Sequence, residues 1–206
     1  MAGGVKYPEV YLDMLSQPCR ALHILLSFNK VPFTIRTVAL RKGEQKTPEF
    51  TSLNPMQKVP VLVDNGFVLT ESVAILKYLV TKYSLPEHWY PSQPERRAKV
   101  LIPRMTGSAV DGLRVERALA ELKDTLDMLE SMFLKRQPFL CGDDITLADL
   151  LAVCELMQPL GGDRDVLSDR PKLQRWRSRV QSALGESFDD AHSVLYKLRD
   201  NFKSKL

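Results

Sequence analysis

The apolar positions of this chain change their period several times, and each change marks an element. Val10-Tyr11-Leu12 is a short apolar run, cut off by Ser16-Gln17-Pro18. From Pro18 to Phe28, Ala21, Leu22, Leu25 and Leu26 recur at helical spacing, with proline at the start, where helices tolerate it best. Phe33, Ile35 and Val38 then stand among Thr34, Arg36 and Thr37, which predicts a second strand over 33–38. A strand, a helix of crossover length and a further strand form a βαβ unit, so the two strands should be parallel. Thr47–Leu53 predicts a short helical turn. The apolar runs Val61–Val63 and Phe67–Leu69 flank Asn65-Gly66, the strongest short-range hairpin signal because both central residues take positive φ. The hairpin is thus 61–64/67–70, and a helix over 71–83 follows it.

These elements give β-α-β-α-β-β-α, an α/β domain over 8–85 with a mixed four-stranded sheet. Glu87–Pro94 is rich in proline and aromatic residues, contains Trp89-Tyr90-Pro91, and reads as a linker over 86–95. Residues 96–206 read as an all-α domain. Leu119, Leu122, Leu126, Leu129 and Phe133 step by three and four along one face of a long helix. Thr146-Leu147-Ala148-Asp149 resembles a capping box before Leu150, Leu151 and Cys154. Pro171–Leu184 and Ala191–Leu198 are two further expected helices.

Composition narrows the classes of function. With 206 residues, 44% of them apolar, the chain can bury a real core. A net charge of +4, with cations scattered among acids, gives no basic stripe for nucleic acid. No apolar run approaches the roughly 20 residues of a membrane span, and Met1–Lys6 has no signal-peptide core. Three cysteines, Cys19, Cys141 and Cys154, lack metal spacing and point to a reducing compartment. His23, His88 and His192 form no ligand pattern, so no metal is expected. The expected location is the cytoplasm.

The chemistry concentrates in Asn54–Leu62 and Leu69–Ile75. Pro60 can begin a strand only where no ladder donor is needed, which leaves the backbone of Val59 free to pair with something else. Ser72 places a hydroxyl and unpaired amides at a helix N-terminus, where a carboxylate would sit. Together they suggest a pocket for a small, extended, anionic peptide. Upstream, Ser16 stands just before a helix. It could serve as a cap, or as a donor that lowers the pKa of a bound thiol.

Leu12-Asp13-Met14-Leu15-Ser16-Gln17-Pro18-Cys19-Arg20, the pair Lys58-Val59-Pro60…Glu71-Ser72, and Arg170-Pro171-Lys172-Leu173…Trp176 resemble the glutathione S-transferases, the theta class closely. The likeness runs from about Val10 to Leu198. It implies a thioredoxin-like N-terminal domain, an all-α C-terminal domain, and conjugation of reduced glutathione to small hydrophobic electrophiles such as alkyl halides, epoxides and hydroperoxides. Glutathione would be a co-substrate, with no other cofactor. By the same resemblance Ser16 activates the thiol, and Ser72 and Glu71 hold the γ-glutamyl carboxylate and ammonium. Val59 pairs with the cysteinyl unit, beside a Val59–Pro60 bond that is cis in the family. Lys58 reaches the glycine carboxylate, and Gln45 stands where theta enzymes often carry a glycine-binding histidine. Pro60, Thr146 and Asp149 are structural. A homodimer is expected. Between Arg96 and Asp111, Pro103 and Gly107 interrupt the stretch where the family has a long helix lining the electrophile pocket, and the chain ends without the theta-class C-terminal extension. The shortening should leave Leu122, Leu126 and Leu129 exposed or repacked. Two alternatives follow from it: a glutathione-binding module of weak activity, and a non-catalytic scaffold.

Overall fold

A computed structural model describes residues 7–93, 122–123 and 125–204. The described residues fall into two compact units. The first comprises the described residues within 7–86, 157–164 and 184–204, and the second those within 87–156 and 165–183.

In the first unit, β1 (Glu9–Leu12) is followed by α1 (Gln17–Phe28) and β2 (Thr34–Thr37). Two 3-10 turns (Leu40–Lys42 and Glu44–Lys46) lead to α2 (Pro48–Leu53), the hairpin β3 (Val61–Asp64) and β4 (Phe67–Leu69), and α3 (Ser72–Lys82). The sheet order is β2-β1-β3-β4. β1 and β2 are parallel, as the crossover helix requires, while β3 is antiparallel to both of its neighbours. Asn65 and Gly66 take φ of 50° and 86°, the left-handed pair that the hairpin needs. β1 alternates half-buried Glu9 and Tyr11 with buried Val10 and Leu12. One face of the sheet packs Tyr11 and Val61 against Val38, Phe50 and Val59. α1 is buried from Cys19 to Leu26, because α3 and the last helix both pack against it. Asp64, at the end of β3, accepts from Tyr78 Oη and the Lys82 ammonium, which ties α3 to the hairpin.

The last helix, α6 (Glu186–Lys203), is longer than the Ala191–Leu198 core of apolar positions. Its extra turns, Glu186–Asp190 and Arg199–Lys203, are mostly polar, which apolar spacing does not mark, although the first of them buries Phe188.

In the second unit, α4 (Leu147–Met157) and α5 (Pro171–Leu184) carry the core residues Leu150, Val153, Leu173, Trp176 and Val180. The segment read as a linker begins with a 3-10 turn, Glu87–Trp89, whose Trp89 is fully buried. Its ring anchors the segment, so aromatic content there signals packing.

Residues 125–128 are helical, and the chain then widens into a π-helical turn at Leu129–Phe133, closed by Leu134 N–H donating to the Leu129 carbonyl at 2.9 Å. Spacing by three and four predicts a regular helix and gives no sign of this turn. Leu126 and Leu129 are buried rather than exposed, and Leu122 is half-buried. Two contacts lay this segment against the start of α5. Arg170 Nη1 donates to Asp127 Oδ1 at 2.6 Å, and Glu130 Oε1 accepts the amides of Lys172 and Leu173 at 3.0 and 3.2 Å. Leu119 and the shortened stretch near 100–111 lie outside the described residues.

Candidate functional site

The register of the sheet decides which loops meet. Tyr11 of β1 pairs with Val61 of β3, so the start of β3 lies opposite the end of β1. Leu62 pairs with Leu69, which brings the end of β4 to the same edge, and parallel β2 ends there as well. Four segments therefore leave one edge of the sheet. They are the loop after β1 with Ser16, the turns after β2 with Gln45, the loop before β3 with Lys58 and Val59, and the Thr70-Glu71 step into α3 with Ser72.

Ser16 is the N-cap of α1, with extended backbone, yet its side chain makes no bond to the amides of the helix. Its N–H donates to the Asp13 carbonyl at 2.9 Å, and its carbonyl accepts from Arg20 N at 3.1 Å. The hydroxyl lies within hydrogen-bonding reach of the Cys19 thiol, a group that burial pushes up to about 11. Cys19 is a fully buried free thiol inside α1.

Three residues outside the candidate site set hold this loop; of these, Arg20 is the structural residue that the sequence reading makes it, and sequence reasoning misses Asp13 and Glu44. Asp13 Oδ1 accepts from Leu15 N and its Oδ2 from Leu40 N, both at 2.9 Å, which fastens the Ser16 loop to the turns after β2. Glu44 secures those turns by accepting from Ala39 N at 2.7 Å. The buried Arg20 donates from Nη1 to the Met14 carbonyl at 2.8 Å and from Nη2 to Gln158 Oε1 at 2.6 Å. An acid before a Leu-Ser turn is a weak local signal for Asp13. The other contacts join residues too distant in sequence to leave one.

Gln45 is half-buried, and its side-chain oxygen is buried without a partner among the described residues. Lys58 is exposed. Its carbonyl accepts from Asn54 Nδ2 at 2.8 Å, while Asn54 Oδ1 accepts from Met56 N at 3.0 Å. The buried Asn54 thereby shapes the Pro55–Lys58 loop from within. The Val59–Pro60 peptide is cis, and Pro60 is buried. Among the described residues no hydrogen bond involves the main-chain groups of Val59.

Glu71 is exposed and caps α3 with φ 67° and ψ 108°, a left-handed conformation that costs a non-glycine residue about 1–3 kcal/mol. Ser72 follows as the first residue of α3, with the free amides of the first turn beside it.

Thr146 and Asp149 belong to the second unit and do different work. Asp149 Oδ2 accepts from Thr146 N and Oγ1, both at 3.0 Å, and Thr146 Oγ1 accepts from Ala148 N at 3.2 Å. Asp149 Oδ1 reaches further, accepting from Leu140 N and Trp176 Nε1 at 2.8 Å. Burial pushes the Asp149 carboxyl up, and these donors oppose the shift. Among the described residues no group of His, Cys, Asp and Glu is placed to hold a metal.

The model of the glutathione S-transferase N-terminal domain matches residues 9–81, and that of the C-terminal domain matches residues 76–183. Glutathione S-transferase theta-1 of Bos taurus is 44% identical over 217 residues, covering 94% of this chain and 90% of the relative. Theta-1 of Homo sapiens is 44% identical over 216 residues, with 93% and 90% covered. Both aligned stretches exceed the 206 residues of this chain, so the relatives carry residues opposite gaps in it. Among solved structures, apo human glutathione S-transferase T1-1 superposes with a TM-score of 0.84 at 42% identity, over 97% of this chain and 96% of that one. Human glutathione transferase theta-2, solved in complex with glutathione and an unknown ligand, gives 0.86 at 38% identity, over 96% and 91%. With two domain models in sequence order and this identity along nearly its whole length, the chain belongs to the theta class of the glutathione S-transferases.

Proposed function

We propose that the chain conjugates reduced glutathione to small electrophiles, with the tripeptide held at the sheet edge described above. The γ-glutamyl carboxylate sits at the N-terminus of α3, against the Ser72 hydroxyl and the free amides of the first turn. The exposed Glu71 carboxylate pairs with the neighbouring ammonium. The cysteinyl unit adds one residue of antiparallel pairing to the open main chain of Val59. At the other end, the Lys58 ammonium and the Gln45 amide receive the glycine carboxylate. Gln45 is half-buried, and its side-chain NH₂ is a donor for an anion.

The extended peptide then places its sulfur at Ser16. A free thiol with a pKa of about 8.5 is mostly protonated at neutral pH, and the thiolate is the nucleophile. The Ser16 hydroxyl donates to the sulfur and favours the anion, assisted by the N-terminal end of α1. The thiolate attacks carbon in an alkyl halide or an epoxide, forming a C–S bond as halide leaves or the ring opens. A hydroperoxide is attacked at its terminal oxygen: the O–O bond breaks, the alcohol leaves, and the resulting glutathione sulfenic acid is taken by a second glutathione to the disulfide and water. The observation that carries the reading is that Ser16 occupies a cap position without spending its hydroxyl on the helix amides. A human theta-class glutathione transferase solved in complex with the glutathione conjugate of 1-menaphthyl sulfate supports the same chemistry here.

The proposal extends to a homodimer in the cytosol. Three buried cysteines that form no disulfide fit a reducing compartment, and among the described residues no helix is long and apolar enough to cross a membrane. The test is calorimetric titration with glutathione across pH 5–9, recording heat and proton release, followed by single-turnover conjugation of a small alkyl halide. Binding with proton release and turnover is expected. Absence of heat, or binding without turnover, overturns the reading.

A further inference from the structure

The second unit holds an open cavity of about 430 Å³ between the turn after Phe133 and one face of α5. Lys135 and Arg136 enter from the turn, and Lys172, Arg175 and Arg179 from the helix, where spacings of three and four put them on one side. Among the described residues, none of these five cations has a carboxylate within ion-pair distance. Neighbouring cations do: Arg170 pairs with Asp127 at 2.6 Å and Arg177 with Asp165 at 3.0 Å.

Two of the five are anchored through neutral carbonyls. Arg179 Nε donates to the Pro138 carbonyl at 3.0 Å, and Lys172 Nζ to the Glu130 carbonyl at 3.4 Å. These bonds fix position and leave the charge uncompensated. The Glu130 carboxylate is engaged with the Lys172 and Leu173 amides. Gln137, also lining the cavity, donates to the Leu140 carbonyl at 2.8 Å and stiffens the turn. Five like charges converge on one concavity without an ion-paired carboxylate among the described residues, an arrangement that raises the local concentration of a multivalent anion. Arginine forks suit the geometry of phosphate oxygens.

We propose that this cavity binds a small group carrying several clustered phosphate monoesters, either a free polyphosphorylated molecule or the phosphorylated headgroup of a lipid. The ligand spans the turn and α5, with Arg175 and Arg179 gripping phosphate in forked fashion and Lys135, Arg136 and Lys172 supplying the remaining charge. No residue of the sheet-edge site takes part.

The test uses the full chain at physiological ionic strength. Inositol hexakisphosphate is titrated calorimetrically, and vesicles of phosphatidylcholine with phosphatidylinositol bisphosphate are used in sedimentation, against phosphatidylserine vesicles of equal charge. Saturable one-to-one binding in either arm supports the site, and the arm that binds identifies the source. The double variants Lys135→Gln/Arg136→Gln and Arg175→Gln/Arg179→Gln should each weaken binding by at least about tenfold, since each removes two charge-assisted contacts. Glutathione turnover should be unchanged in both. The turn pair does not alter α5, so the test survives misfolding of the helix pair. No saturable binding in either arm, equal binding to phosphatidylserine vesicles, or undiminished binding by the turn variant overturns the proposal.

Discussion

Replacing Ser16 with alanine separates a capping serine from one that ionises a thiol. The side chain makes no bond to the α1 amides, so its removal should cost the helix little of the 0.5–2 kcal/mol that a working cap is worth. The effect should fall on bound glutathione instead. A hydrogen bond to a charged group is worth about 1.5–3 kcal/mol, and one pKa unit is 1.36 kcal/mol, so the bound thiol should rise by about one to two units. The contribution of the helix end, about 0.3–1 kcal/mol, remains in the variant. If the wild-type thiol titrates near 6.5, the thiolate fraction at that pH falls roughly five- to fiftyfold in Ser16→Ala. Turnover falls less, because a more basic thiolate is intrinsically more nucleophilic with a Brønsted slope of about 0.4–0.5. The deficit should close as pH rises and reverse by pH 9, where both thiols are largely ionised and the more basic one is the better nucleophile.

The direct assay is the pH titration of thiolate absorbance in the saturated complex, read as a midpoint. Cys19 does not interfere. Its buried thiol, pushed up to about 11, stays protonated throughout the range. Saturating glutathione with the midpoint of Ser16→Ala equal to that of the wild type would refute the reasoning, whatever happened to turnover. A gap in rate that persisted unchanged at pH 9 would also count against it, since ionisation no longer distinguishes the two proteins there.

Three further substitutions test other parts of the molecule. Asp149→Ala removes the acceptor for four hydrogen bonds in a fully buried site and should lower stability by about 3–5 kcal/mol in chemical denaturation. Asp149→Asn should lose roughly half as much, its amide oxygen still accepting two of them; a loss below about 1 kcal/mol in the alanine variant would show that Trp176 and Leu140 do not depend on the carboxylate. His192 is fully buried against Phe188, and burial lowers its pKa to about 4. A base with a depressed folded pKa contributes fully above its unfolded value and loses that contribution as pH falls through the window from about 6.5 to about 4. Stability should drop by about 2 kcal/mol between pH 6.5 and 5 and should flatten there in His192→Gln, as measured by urea midpoints; identical slopes in the two proteins would exclude His192 as the titrating group. Asn54→Ala removes the bond that sets the Lys58 carbonyl and should raise KM for glutathione several-fold while kcat changes little, with stability down by about 1–2 kcal/mol. Steady-state kinetics in which kcat alone falls would contradict that assignment.

What could be read from the sequence, and what could not, divides by the range of the interaction. β1, α1 and β2 declare themselves through spacing within a dozen residues, and Asn65-Gly66 fixes the hairpin because few residue pairs tolerate that turn. Once parallel β2 and antiparallel β3 flank β1, the loops carrying Ser16, Gln45, Val59 and Ser72 have to leave one edge, so the proposed site follows from topology. Its rigidity does not. Asp13 finds Leu40 27 residues away, and Arg20 finds Gln158 138 residues away. No period links such pairs, because a polar side chain acquires its partner only after the apolar pattern has set the register. Asp149 shows both regimes in one carboxylate. Oδ2 makes the local box with Thr146 that the spacing Thr-x-x-Asp announces, while Oδ1 holds Trp176 27 positions later. The widened turn at Leu129–Phe133 fails for the opposite reason: apolar steps of three and four fit it as well as they fit a regular helix, and the bonds that draw it onto α5 come from Arg170 and Glu130. Residues of this second kind bear on precision more than on folding, because they join segments the core has already brought together. Loss of Asp13 or Arg20, which brace the Ser16 loop, should therefore be felt first in the placement of glutathione, whereas loss of the fully buried Asp149 is felt in stability.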